Sequence, residues 1–461
     1  MDQEQKRRER LYKTFKHNVT QGNTQSEFDE NDLIDIYDYA NDVNDEFIQL
    51  EVILNAVRYF PESNDLAQRR AYFLLDNLSM SEGAEMMARQ HAQESALWDI
   101  LTLLVKRPEQ AEAKKGFNEI LQRYANYDDE TIIQFVGASS ELGLYDWLWE
   151  NKDEILKRCE YPDTFLYELS QEAYERGDFR KSADALDELT TTEAFNASYW
   201  HMLAQAYVHL DNYEEALQAI EYALAIDPSS TDVLITKAQI MFDMKKDREE
   251  ALAIVRGVLG TNPDNTIACH TLVAMDLILG NVDEAQEVLA SFLATHPADT
   301  EAVEHSMYLP DPAFSILYLK KYLRTTGLDE SEWMAWAKSC YERGEYRQCS
   351  DILLAWLYEN ETLPEWAQLV ESLYHQSRLA ELIAVYHNYI SDKNVTLGPL
   401  EAYLLMSALF ETKDVKESLK VAERITKFDL SEMPRMDMRL MAVGAMERAS
   451  KLVALVNSSV K

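Results

Sequence analysis

ASYWHMLAQAYVHLDNYEEALQAIEYALAIDPSS, residues 197–230, is the stretch that decides the fold. With Ala197 as position 1, Trp200 falls at 4, Leu203 at 7, Ala204 at 8 and Tyr207 at 11. Ala216 follows at 20, Ile220 at 24, Ala223 at 27 and Pro228 at 32. Apolar residues three and four apart share one face of a helix, so the stretch reads as two amphipathic helices. Small residues such as Ala204 and Ala216 let two antiparallel helices pack closely, while the large apolar residues fill the seam toward a neighbouring unit. Pro228 ends the second helix, because the residue before a proline is pushed out of the α region. The aspartates and serines that follow suit the cap of a next helix.

The unit recurs. Stepping by 34 from Trp98 lands on Ile132, Leu166, Trp200 and Leu234, then on Cys269 after a one-residue insertion and on Val303. Two shorter steps reach Trp333 and Trp366. Every stop is apolar, and a fixed period of this length is the mark of a repeat array. The spacing predicts helix pairs starting near 30, 64, 95, 129, 163, 197, 231, 266, 300, 330, 363 and 399. In the pair starting at 300, Pro310 and Pro312 are expected to shorten or kink the first helix.

At all eight of its marked positions the 197–230 unit resembles the tetratricopeptide repeat (TPR). The units ending in Pro263 and Pro297 match more loosely, through Ala238, Ala251 and Val255, and through Leu272, Ala285, Leu289 and Phe292. The resemblance covers 163–299 closely and 330–390 less closely. It implies an all-α fold, a right-handed α-α superhelical solenoid of TPR-type helix pairs, and a non-enzymatic protein-interaction scaffold. The organisation expected is a basic arm and linker over 1–29 and degenerate helical repeats over 30–162. Well-matched units follow over 163–299, further units over 300–430 after the proline-rich irregularity, and a capping helix and tail over 431–461.

Composition supports that reading. Gly 13 and Pro 11 are about 3% and 2% of the 461 residues, well under the usual share of roughly 7% and 5%. Sandwich, barrel and Rossmann-type folds need many more turn residues. The net charge of −37 lacks the basic footprint that nucleic acid requires, and it favours basic protein or peptide partners. Residues 1–20 run against the trend with six bases and three acids. Leu11, Tyr12, Phe15 and Val19 recur there opposite the bases, so the arm reads as a frayed or loosely docked helix. The alternatives are recruitment to an anionic surface and folding back on the acidic body. No apolar run approaches the length of a membrane span, and no signal-peptide pattern opens the chain. Cys159, Cys269, Cys340 and Cys349 show no zinc or CxxC spacing. A cytoplasmic protein with reduced thiols is expected.

No phosphate loop, HExxH or GxSxG occurs, and no cofactor or metal is expected. His201, His209 and His270 are spaced too widely to chelate one ion simply. Cys340 and Cys349 fall where the two helices of one unit meet and read as small buried side chains, with a redox switch as the alternative. Trp98, Trp333 and Trp366 read as seam packing.

Function must then lie on a surface. Helical geometry puts positions 2, 5, 9, 12 and 13 on the inner face when 4, 8 and 11 face the core. The partner-binding candidates are therefore Tyr167, Gln171 and Tyr174, then His201, Gln205 and His209, and finally Gln239, Phe242 and Asp243. Gln171, Gln205 and Gln239 share position 9, where a ladder of amides suits a peptide backbone or partner helix. The competing reading is that the amides only brace the superhelix. Two other functions stay open: an enzyme or regulatory protein with a site hidden in 30–162, and a chaperone-type adaptor. The second is weakened because the inner positions over 163–278 carry no Lys, Arg or Asn.

Overall fold

The computed structural model describes residues 3–425, apart from 23–27, 79, 91–94, 246, 392–394, 396 and 413, together with 447–451 and 453–454. The fold is all-α, a solenoid of helix pairs, with no β-strand among the described residues. The first helices of the pairs begin at Glu30, Asn64, Ala96, Asp129, Pro162, Ala197, Thr231, Thr266, Thr300, Glu330, Trp366 and Pro399. Each start lies within three residues of the 34-residue grid. The expected capping stretch at 431–461 falls largely outside the described residues.

Cα packing divides the chain into two compact units, Met1–Ser229 and Ser230–Lys461. The first holds α1 (Gln3–Thr20), α2 (Glu30–Asp42), α3 (Glu46–Tyr59), α4 (Asn64–Asp76), α5 (Ser81–Gln90), α6 (Ala96–Lys106) and α7 (Gln110–Arg123). It continues through α8 (Asp129–Glu141), α9 (Tyr145–Glu150), α10 (Lys152–Leu156), α11 (Pro162–Glu175), α12 (Phe179–Thr192), α13 (Ala197–His209) and α14 (Tyr213–Ile226). Side chains of Asp29, Asp45, Ser63, Ser95, Asp128, Asp178 and Asn196 cap helices by accepting from backbone amides. Each such cap supplies one of the acceptors that the first turn lacks.

One feature of the repeat escaped the sequence reading. Position 15, the residue just past the first helix, has a left-handed backbone at Asn44, Gly143, Gly177 and Asp211 in the first unit. The same holds at Lys245, Gly280, Gly344 and Ser377 in the second. The next amide then reaches back to position 11, as in Asp178 N to Ala173 O at 2.8 Å and Asn212 N to Tyr207 O at 2.9 Å. This is the Schellman closure of a helix C-terminus, which requires a positive φ. Glycines 34 residues apart at 143 and 177 were the available signal.

Seam positions are filled as the period implies. Ala204 and Ala216 are both fully buried. Trp98 is fully buried, with its indole N–H donated to Asn64 Oδ1 at 2.9 Å. Trp200 is partly exposed and stacks on Tyr222, ring centroids 4.5 Å apart. The second helix of the pair at 129 is split at Asn151, whose amide donates to Trp147 O at 2.8 Å. Such local side-chain bonds compete with the helical ladder.

The N-terminal arm departs from expectation. Rather than fraying, α1 docks as a full helix with Tyr12 and Phe15 buried. Phe15 meets Phe28 edge-on at 5.5 Å and Tyr12 lies 5.0 Å from Tyr39. Its bases turn onto the chain's own acids: Arg7 pairs with Asp32 (2.9 Å) and Asp35, and Lys16 pairs with Asp45 (2.6 Å). The physical reason is that an amphipathic helix gains more by burying its apolar stripe on α2 than by remaining solvated.

The second unit holds α15 (Thr231–Asp243), α16 (Arg248–Thr261), α17 (Thr266–Leu279), α18 (Val282–Thr295), α19 (Thr300–Ser306) and α20 (Pro312–Thr326). Then come α21 (Glu330–Glu342), α22 (Tyr346–Asn360), α23 (Trp366–His375), α24 (Leu379–Val385), a π-helical turn Tyr386–Ile390, α25 (Pro399–Glu411) and α26 (Val415–Ile425). The prolines shorten α19 to seven residues, and Pro312 starts α20. That position suits proline, whose missing N–H would be unpaired there anyway. Trp333 is fully buried and donates to Ile352 O at 2.9 Å, while Trp366 packs partly buried against the same core. No described helix is long and apolar enough to cross a membrane.

Candidate functional site

Within the first unit, α11 and α13 carry six of the residues predicted to face inward. Tyr167, Gln171, Tyr174, His201 and Gln205 are partly exposed, and His209 is exposed. The helices are joined by Tyr174 and His209, whose Oη and Nε2 lie 2.8 Å apart. Partial burial pushes the Tyr174 phenol up, so at neutral pH it is a hydroxyl able to donate to the imidazole. The Gln171 amide donates to Tyr167 Oη at 3.1 Å, one turn back on its own helix.

Two residues that the position rule omitted complete the surface. Phe179, the first residue of α12, stacks on His209 with ring centroids 4.1 Å apart and lies 5.2 Å from Tyr174. Tyr199, at position 3, comes within 6.0 Å of Tyr167. Both are aromatic residues at helix starts next to inner positions, which is the signal that would have found them. These contacts gather the rings of Tyr174, Phe179 and His209 at one end and those of Tyr167 and Tyr199 at the other.

In the second unit, Gln239 is exposed and its amide donates to Thr271 Oγ1 on α17 at 3.2 Å. Asp243 is exposed at the end of α15, and partial burial, opposed by Arg248, pushes its carboxyl up. Phe242 does not present a ring to solvent. It is 4% exposed, with the Arg248 guanidinium 4.6 Å above the ring and Arg248 Nε donating to its carbonyl. A base at the start of α16 thus covers the site that helical geometry assigns to the open face.

His270, at inner position 5, ties α17 to α19. Its Nε2 lies 2.9 Å from Asp299 Oδ1 and its Nδ1 2.9 Å from Glu301 Oε2. Both ring nitrogens thus face carboxylate oxygens, and the ring braces α17 against the start of α19. Among the described residues no three His, Cys, Asp or Glu side chains are placed to hold a metal ion. Cys340 and Cys349 are buried free thiols, and burial pushes each up to about 11, far from the reactive thiolate range.

The family model for the TPR domain of cytochrome c-type biogenesis protein H matches residues 166–303. Sperm-associated antigen 1 of Mus musculus is 28% identical over 171 residues, and that of Rattus norvegicus 31% over 171 residues. In both cases the match covers 35% of this chain but only 18% of the relative, so the matched segment spans less than a fifth of those proteins. Among solved structures, YrrB, described as a TPR protein with an unusual peptide-binding site, is 16% identical with a TM-score of 0.31, covering 43% of this chain and 97% of that one. A TPR protein of Parabacteroides merdae is 14% identical with a TM-score of 0.32, covering 62% of this chain and 98% of its own. The 34-residue period, the helix pairs it sets and the family match together give this chain a tetratricopeptide-repeat region over residues 166–303.

Proposed function

We propose that the chain is a non-enzymatic, cytoplasmic interaction scaffold, and that the face shared by α11 and α13 holds an extended peptide or a partner helix. The observation that carries the reading is the Tyr174–His209 contact, which joins positions 12 and 13 of adjacent repeats into one continuous strip. Gln171 and Gln205 can bond a peptide backbone in both directions, and the rings of Tyr167, Tyr174 and Phe179 suit apolar anchors. The acidic balance of the chain favours partners of basic character.

The test is a phage-displayed peptide selection on the full chain, with the selected peptide then titrated against Gln205→Ala/His209→Ala. His209 is exposed and Gln205 partly so, so the variant is expected to melt within a few degrees of the parent. Peptide affinity should fall by about tenfold or more, roughly 1.4 kcal/mol. Undiminished affinity would move the binding face elsewhere.

A further inference from the structure

The inner positions of the N-terminal pairs, read in the same register, carry different chemistry. Asp38 and Asp42 are positions 9 and 13 of the first pair, Tyr72 is position 9 of the second, and Glu130 is position 2 of the fourth. With Arg8 and Arg69 they line a cavity of about 460 Å³, a size typical of ligand sites. Its walls come from α1, α2, α4 and α8, all within the first unit.

Arg69 organises the floor. Its Nε and Nη2 hold the Asp38 carboxylate at 2.7 and 3.0 Å, and Nη2 lies 3.7 Å from Glu130 Oε2. The Arg69 side chain is only 12% exposed, so it belongs to the structure rather than to an incoming ligand. Arg8 leans on Asp35, Nε to Oδ1 3.2 Å. Four carboxylates (Asp38, Asp42, Asp129 and Glu130) line the space against these two guanidinium groups. Burial pushes the Asp42 carboxyl up, helped by Asp38 and opposed by Arg8; burial pushes Glu130 up against the pull of Arg69. Four carboxylates to two guanidinium groups leave the cavity short of positive charge. Tyr37, Tyr72 and Phe73 also line the space, which suits the alkyl stem of a long cationic side chain.

We propose that this cavity is a binding site for a basic side chain, an arginine guanidinium or lysine ammonium presented by a partner polypeptide, with Asp42 and Glu130 as its carboxylate acceptors. Such charge-assisted bonds are the stronger ones, and the net charge of −37 attracts basic chains at long range. The proposal stands independently of the α11–α13 face, because it uses none of those residues.

Isothermal titration of the full chain with an end-capped tri-arginine peptide, at about 150 mM salt so that diffuse attraction is screened, tests it. Asp42→Asn/Glu130→Gln should weaken binding by about tenfold or more. Glu214→Gln/Glu215→Gln removes the same charge from an exposed site in the same unit and should change it by less than about twofold. Gln134→Lys, which keeps both carboxylates but supplies a cation from the cavity wall, should abolish binding without touching the acceptors. Equal losses in the two carboxylate doubles, or equal binding of a tri-citrulline peptide, would overturn the site. Spermidine binding as tightly as the peptide would overturn the side-chain assignment in favour of a free polyamine.

Discussion

The pairs α11–α14 and the pairs α2–α10 share one unit and one period, yet they solve the same packing problem with different side chains. In α11–α14 the close contact between paired helices uses small buried residues, Ser170 with Ser182 and Ala204 with Ala216. In α2–α10 the first and fourth pairs hold Tyr37 with Gln49 and Val136 with Leu148 there, all buried, while the second keeps small residues, Ala71 with Gly83. The fourth pair compensates with an aromatic cluster in which Phe117 lies 5.0 Å from Phe135 and 5.6 Å from Trp147. The turn is kept in the first and fourth of those pairs, where Asn44 and Gly143 adopt the same left-handed backbone as Gly177 and Asp211. The comparison teaches that the period holds the register, while turn and seam residues vary as long as volume is filled. The inner face then follows local residues, aromatic and amide in one region, charged in the other.

The sharpest way to break this comparison is to empty the aromatic cluster. Phe135→Ala removes a fully buried ring and should cost about 3–5 kcal/mol, read by urea unfolding. A loss below 1 kcal/mol, on that scale, would mean that the cluster does not replace the small-residue seam. Ala204→Leu tests the opposite strategy and should cost about 1–3 kcal/mol by overpacking. If it melts like the parent, the helices there are not in close register.

The turn claim predicts equality. Gly143→Ala and Gly177→Ala should each destabilise by about 1–2 kcal/mol, the cost of forcing a side chain into the left-handed region. Clearly unequal losses would show that the turn is strict only in the family-matched repeats.

Arm docking sharpens the difference at the N-terminal end. Burial would raise the Asp45 carboxyl, but hydrogen bonds from Lys16, Tyr12 and the Ile48 amide outweigh it and hold it below the usual carboxylate range. A carboxyl lowered on folding contributes fully above the ordinary aspartate value near 4 and loses that contribution as pH falls through the folded value. Hydrogen exchange in α1 should therefore rise on acidification below about pH 4. Asp45→Asn should show that loosening already at pH 8, as faster tryptic cleavage at Lys13 and Lys16. Unchanged cleavage would assign the docking to Tyr12 and Phe15 alone.

The smallest effect is expected at Asp211→Gly. Relief of the left-handed strain is partly offset by the greater freedom of glycine in the unfolded chain, leaving a gain under about 1 kcal/mol. The Asp211 carboxylate also accepts from Tyr213 Oη at 3.2 Å, and its loss trims the gain further.

Much of this molecule was legible as sequence because a solenoid is held by near-neighbour contacts. A 34-residue spacing of Trp98, Ile132, Leu166 and Trp200 is a local pattern repeated, so it fixes helix pairs, their starts and the seam residues without long-range information. Tertiary structure alone decided three things. It put α1 against α2 rather than in solvent, because burial of Tyr12 and Phe15 depends on a surface that α1 itself does not encode. It covered Phe242 with Arg248, since exposure depends on which neighbour crosses the ring. It also brought Arg69 between Asp38 and Glu130, residues more than 90 positions apart, because only the winding of successive pairs sets which inner side chains share a cavity.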